Sequence, residues 1–106
     1  MKLDSLNRYT RGWTVGQFVP NLLERDNIEV GIKYYVQNEE EEAHYHKLSQ
    51  EFTIVVKGKI SMNGVEFFEG DIVIVEPNEV VKFKSVTDAI CVVIKSVSCK
   101  GDKYLA

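Results

Sequence analysis

An all-β domain, a sandwich or barrel of short antiparallel strands, is the fold class this sequence predicts. Short runs of β-branched and aromatic residues recur at regular spacing. Polar or glycine-bearing turns separate them, and no segment sustains a helical period of 3.6 residues. The 106 residues make one domain, long enough for a core without disulfide or metal staples.

Val30 to Val36 is the first strand, entered from the polar break Glu24-Arg25-Asp26-Asn27. Phe52 to Val56 runs into Lys57-Gly58-Lys59, and Ile60 to Met62 follows. Asn63-Gly64 is a strong hairpin signal, because both residues tolerate the positive φ of a type I′ turn. Val65 to Phe68 returns from it, and Glu69-Gly70-Asp71 turns the chain into Ile72 to Val75. Glu76-Pro77-Asn78-Glu79 is a further turn, with Asn78 suited to a left-handed backbone. Val80 to Lys84 and Ala89 to Val97 complete the set, joined through Ser85-Val86-Thr87-Asp88. The one helix candidate is Pro20 to Arg25, about a single turn.

Composition narrows the function. Hydrophobic residues make up 44% and charged residues 27%, an ordinary globular balance. A net charge of -3 and a pI near 5.4 argue against nucleic acid, which needs a basic face. Met1 to Asn7 has no apolar run and no stretch approaches a membrane span, so a cytoplasmic protein is expected. Cys91 and Cys99 on one extended strand would stand about 26 Å apart, too far for a disulfide. Cys91, inside an apolar run, reads as a small buried hydrophobe, while Cys99 beside Lys100 is more exposed.

The two histidines lie in His44-Tyr45-His46, and Glu51 follows five residues later. On a strand both imidazoles share one face. Two neutral imidazoles and a carboxylate form a donor set suited to iron(II) and its neighbours. The bland alternative is a hydrogen-bonded polar cluster without an ion.

His44-x-His46-x4-Glu51-x6-Gly58 resembles the first signature of the cupin superfamily. Gly70-Asp71, the strand Ile72 to Val75, Pro77-Asn78 and Phe83 resemble the beginning of the second. The resemblance covers roughly residues 30 to 97, and Gly12-Trp13 and Gly101-Asp102-Lys103-Tyr104 look like a subset of small single-domain cupins. It implies a small antiparallel jelly-roll β-barrel over residues 30–106, preceded by an apolar extension over residues 1–29. Two positions depart from the pattern. Asn38 stands where the first signature opens with glycine, and Val81 stands where the most firmly metal-binding cupins place a third histidine. Strand alternation puts Val81 and Phe83 inward and Val80, Lys82 and Lys84 outward. At most three protein ligands, His44, His46 and Glu51, are therefore expected, with open positions left for a small polar molecule.

Three function classes stay open. One is a metal-dependent enzyme, an oxygenase or isomerase using iron, manganese, nickel or zinc. Resemblance to metal-free sugar-nucleotide isomerases implies a second, in which His44 or His46 is a general base tuned by Glu51. The third is a non-catalytic small-molecule binding module. Thr53 and Val55 share Glu51's face and are expected to line the pocket with Val81, and Tyr35 joins them if its register allows. Glu39 to Glu42 reads as a solvated turn in preference to an acidic lip. The apolar residues from Tyr9 to Leu23 cover the barrel or a partner subunit, and the family resemblance implies a homodimer.

Overall fold

The computed structural model describes residues 1–106 and is built almost wholly of strands. In chain order these are β1 (Trp13–Val15), β2 (Glu29–Tyr35), β3 (His44–Tyr45), β4 (Glu51–Lys57) and β5 (Ile60–Met62), then β6 (Val65–Phe67), β7 (Ile72–Val75), β8 (Phe83–Ser85), β9 (Ala89–Lys95) and β10 (Tyr104–Leu105). A five-stranded antiparallel sheet has the order β1-β2-β9-β4-β7. A three-stranded sheet, β6-β5-β8, faces it, and β10-β3 forms a short third sheet. The ladders do not close into one barrel: hydrogen bonding between them shrinks to isolated bridges such as Glu40–Lys84 and His44–Val81. No helix is long and apolar enough to cross a membrane.

The core lies between the two main sheets. Tyr35, Val55, Val75, Ala89, Cys91 and Val93 from the larger sheet meet Ile60, Met62 and Phe83 from the smaller, with Val81 beside them. Alternation decides which side chains go there: along β9, Ala89, Cys91 and Val93 are buried while the residues between them are not. The two cysteines are free, Cys91 buried and Cys99 exposed, and burial pushes the Cys91 thiol up to about 11. Asn63 (φ 52°) and Gly64 (φ 79°) both take the positive φ of the expected hairpin.

Two expected elements differ. Pro20–Arg25 forms no helix, because its backbone is engaged elsewhere: the Leu22 N–H donates to the Thr14 carbonyl and the Leu23 carbonyl accepts from Gly16. The strand expected over Val80–Lys84 is reduced to β8, starting at Phe83. There the Asn63 side chain takes the place of a ladder, accepting from the Lys82 N–H at 2.8 Å and donating to the Val80 carbonyl at 2.9 Å. The apolar start of the chain contributes β1, whose Trp13 ring lies over Gly31. A Cβ at Gly31 would stand 2.7 Å from that ring, so the close approach requires glycine.

Candidate functional site

β3 carries both histidines and is held from both sides. On one side His44 exchanges backbone hydrogen bonds with Val81, at 3.1 and 2.9 Å. On the other, His44 and Tyr45 pair with Leu105 and Tyr104 of β10. Both imidazoles are buried, their centroids 5.4 Å apart and their planes nearly perpendicular, while Tyr45 stacks outside on Tyr104. Glu51 opens β4, and its carboxylate Oε2 lies 3.2 Å from His46 Nε2.

The histidines are oriented from behind. His44 Nδ1 stands 2.8 Å from the Glu42 carbonyl, and His46 Nδ1 contacts the Asp102 carbonyl. A carbonyl only accepts, so each Nδ1 carries the hydrogen, and in the neutral rings each Nε2 keeps its lone pair. His46 Nε2 is buried without a hydrogen-bond partner. Its neighbour Glu51 is also an acceptor when ionised. Two lone-pair-bearing atoms at 3.2 Å repel unless a proton or a cation stands between them.

Asp102 organises this corner. Its carboxylate accepts from the backbone N–H groups of Lys47 (2.9 Å), Leu48 (3.1 Å) and Ser49 (3.1 Å), fixing the loop between the histidines and Glu51. Burial alone would raise its pKa, but these three donors outweigh it and hold the carboxyl below its usual value. Glu51 has the same balance: burial raises it, and His46 followed by Lys95 pull it down further. Lys95 reaches it across the sheet, because Glu29, Lys95 and Glu51 occupy one cross-strand row on the inner face.

A cavity of about 30 Å³ lies against His44, His46 and Glu51, with Tyr35, Thr53 and Val81 also on its wall. That is room for an ion or a water or two. Val55 shares the face of Thr53 but packs deeper, in the core, and does not line the cavity. Of the four consecutive glutamates Glu41 lines the cavity, whereas Glu39, Glu40 and Glu42 are exposed. Burial holds the Tyr35 phenol strongly protonated. The side chains as they stand form no group of three or more His, Cys, Asp or Glu that would hold a metal ion, so the expected ligand cluster is not pre-assembled. Their chemistry nevertheless fits one: two imidazoles tied at Nδ1, a carboxylate kept ionised, and a buried ring nitrogen with no partner.

Outside the cavity a cleft of about 250 Å³ opens over the same histidines and Glu51, walled by Trp13, Lys33, Lys95 and Lys103 among others. The residue patterns missed Asp102, Lys95 and Glu29. Lys95 and Glu29 had a readable signal, since strict alternation puts each on the buried face of its strand. Asp102 lies in the Gly101-Asp102-Lys103-Tyr104 motif, but nothing local tied it to His46, 56 residues away.

No family model matches the chain, and no curated relative does. Solved structures do. An uncharacterised conserved protein with a double-stranded β-helix domain from Klebsiella pneumoniae superimposes with a TM-score of 0.72 at 21% identity, over 99% of this chain and 91% of that one. A cupin protein from Bacteroides fragilis matches with a TM-score of 0.58 at 22% identity, over 73% of this chain and 70% of that one. A bacterial pirin from Escherichia coli in complex with nickel(II) matches with a TM-score of 0.69 at 13% identity, over 83% of this chain and 39% of that one.

Proposed function

This chain has the cupin fold, and we propose that it uses the interior of that fold to hold a divalent metal (iron, manganese, nickel or zinc) between His44, His46 and Glu51, acting on a small polar molecule. The observation that carries the reading is the buried His46 Nε2, without a hydrogen-bond partner and 3.2 Å from the Glu51 carboxylate. A cation between them would turn repulsion into ligation, and it would draw His44 toward the pair. Val81 closes off a fourth protein ligand, leaving coordination positions for water or ligand. The nickel-bound pirin is a cupin-like neighbour consistent with this reading. When bound, such an ion supplies Lewis acidity and a template for the ligand.

The chain's own residues do the rest. The Glu42 and Asp102 carbonyls fix both tautomers, Glu51 provides charge, and Thr53 and Val81 limit the space. A metal-free reading is favoured by one observation, the lack of a pre-assembled three-ligand group. In it His46 takes a proton at Nε2 with Glu51 stabilising the imidazolium.

Elemental analysis of protein incubated with each of the four metals separates the two. Near-stoichiometric uptake that is lost in His46→Ala and Glu51→Ala is expected. Uptake no greater than in the variants would sink the metal site and leave the proton-transfer reading.

A homodimer is the other part of this proposal. The outer face of the five-stranded sheet carries two cross-strand rows, Ile74-Phe52-Ile94-Val30 and Ile72-Ile54-Val92-Ile32. With Tyr34, Val56 and Ile90 beyond them, the apolar surface spans roughly 400 Å² in plan. That is the size of the largest apolar patches monomers expose, and it would form the apolar centre of an interface of ~800 Å² per partner. A charge-free face sets up no like-charge repulsion against its own copy, so a second copy packing sheet on sheet is the proposed partner.

A further inference from the structure

We infer that the cleft above the cavity seats the oxyanion group of a small acid, carboxylate or phosphate, between Arg11, Lys33 and Lys103. This deepens the reading above and rests on it, since the cavity is taken as the place where the ligand's other end acts.

The argument starts from how charge is paired. The chain has 16 acidic and 13 basic residues, so carboxylates are plentiful. Its ion pairs within 4 Å are Arg8–Asp4, Lys59–Glu66 and Lys95–Glu29, and the His46–Glu51 contact becomes one only when the imidazole is protonated. Four cations line the cleft, and Lys95 is already committed to Glu29 at 3.8 Å. Arg11, Lys33 and Lys103 have no carboxylate within that reach. Glu41 and Glu51 also face the cleft, alongside its shared boundary with the cavity. An acidic chain has thus gathered unpaired cations at one opening.

Two of them are mechanically linked. The Lys33 ammonium donates to the Arg11 carbonyl at 2.7 Å and sits 4.9 Å from the centre of the Trp13 ring. Arg11 itself has a left-handed backbone (φ 54°), a strained state for a residue with a Cβ, and the ammonium holds its carbonyl there. One donated hydrogen leaves two on Lys33 for a ligand. Burial, followed by the nearby Arg11 charge, lowers the Lys33 pKa to about 8. An oxyanion placed against it would supply the charge-assisted hydrogen bonds that burial has removed. At about 250 Å³ the cleft is below the ~300–1,000 Å³ of pockets for drug-sized ligands, which selects a small acid over a nucleotide.

Calorimetric titration of the full chain with succinate, inorganic phosphate and the neutral analogue succinamide, in low salt, tests this. Binding of succinate or phosphate but not succinamide is expected, and which of the two binds identifies the acid group. Arg11→Gln and Lys33→Gln should each raise Kd roughly tenfold, whereas Lys57→Gln, at the far end of β4, should leave it unchanged. Thermal melts of each variant confirm folding, and Lys103→Gln serves if either of the first two melts early. Equal binding of succinamide, equal weakening by Lys57→Gln, or no binding of either anion to nickel-loaded and metal-free protein alike overturns the inference. Nickel uptake is measured separately in His46→Ala: a chain that takes up nickel but no anion loses only this inference, and one that binds anions without metal loses only the metal reading.

Discussion

The two faces of the five-stranded sheet carry opposite chemistry. The face turned inward holds Glu29, Lys95 and Glu51 in a row, with Lys33, Thr53 and Tyr35 nearby. The face turned outward holds two four-residue rows with no charge and no hydrogen-bonding side chain. An ordinary sandwich strand is apolar inside and polar outside. Here the strands invert that pattern at one end, and the inversion has two parts. Inside, titratable groups are buried beside the candidate site, and each cost of burial is offset by a named partner: Ser98 and Lys95 for Glu29, His46 and Lys95 for Glu51, three backbone N–H groups for Asp102. Outside, the apolar side chains form the face that the proposed second copy would cover.

Breaking the outer face has the largest expected effect. Ile74→Lys places one charge per subunit in a two-fold apolar interface, so the dimer should dissociate to monomer, with a dimer Kd raised by about a thousandfold or more. Light scattering across a dilution series reads this. A wild type that is monomeric throughout would remove the proposed dimer.

Next is Asp102. Asp102→Ala strips a carboxylate acceptor from three loop N–H groups, and should lower stability by about 2–4 kcal/mol in urea unfolding. The acid side follows from the same group. Asp102 and Glu51 both have folded pKa values below the unfolded ones, so their contribution is present above the ordinary carboxylate range and is lost as pH falls through the folded values. Stability measured on acidification should therefore drop less steeply in Asp102→Ala than in wild type. An equal drop would assign the acid sensitivity to other groups.

The smallest effect gives the sharpest comparison, one substitution at two adjacent residues of β4. Val55 is 1% exposed and Val56 is 51% exposed. Val55→Thr buries a hydroxyl in the core and should cost about 1–3 kcal/mol. Val56→Thr, in dilute protein, should stay within about 0.5 kcal/mol of wild type. Equal costs would mean that the outer face is packed as tightly as the core.

Much of the site was legible because a strand has a fixed period. His44 and His46 share a buried face, and Val81 points at the cavity, as counting by two requires. The same count fails at the glutamates. Stepping back from His44 selects Glu42, yet Glu41 lines the cavity and Glu42 is exposed, because residues 41–43 lie outside any strand. At Val80–Lys82 the count holds, with Val81 buried between exposed neighbours, but the strand itself is lost because the Asn63 side chain takes over backbone groups that a neighbouring strand would have paired.

By itself the sequence determined the all-β class, the Asn63-Gly64 hairpin and the shared face of His44 and His46, all of which rest on local φ preferences and on alternation within a few residues. Only the tertiary structure decided that Asp102 orients His46, that Lys95 stands between Glu29 and Glu51, and that unpaired cations gather over the cavity. Those relations join residues tens of positions apart through strand order and register, and short-range periodicity contains no record of which strands become neighbours.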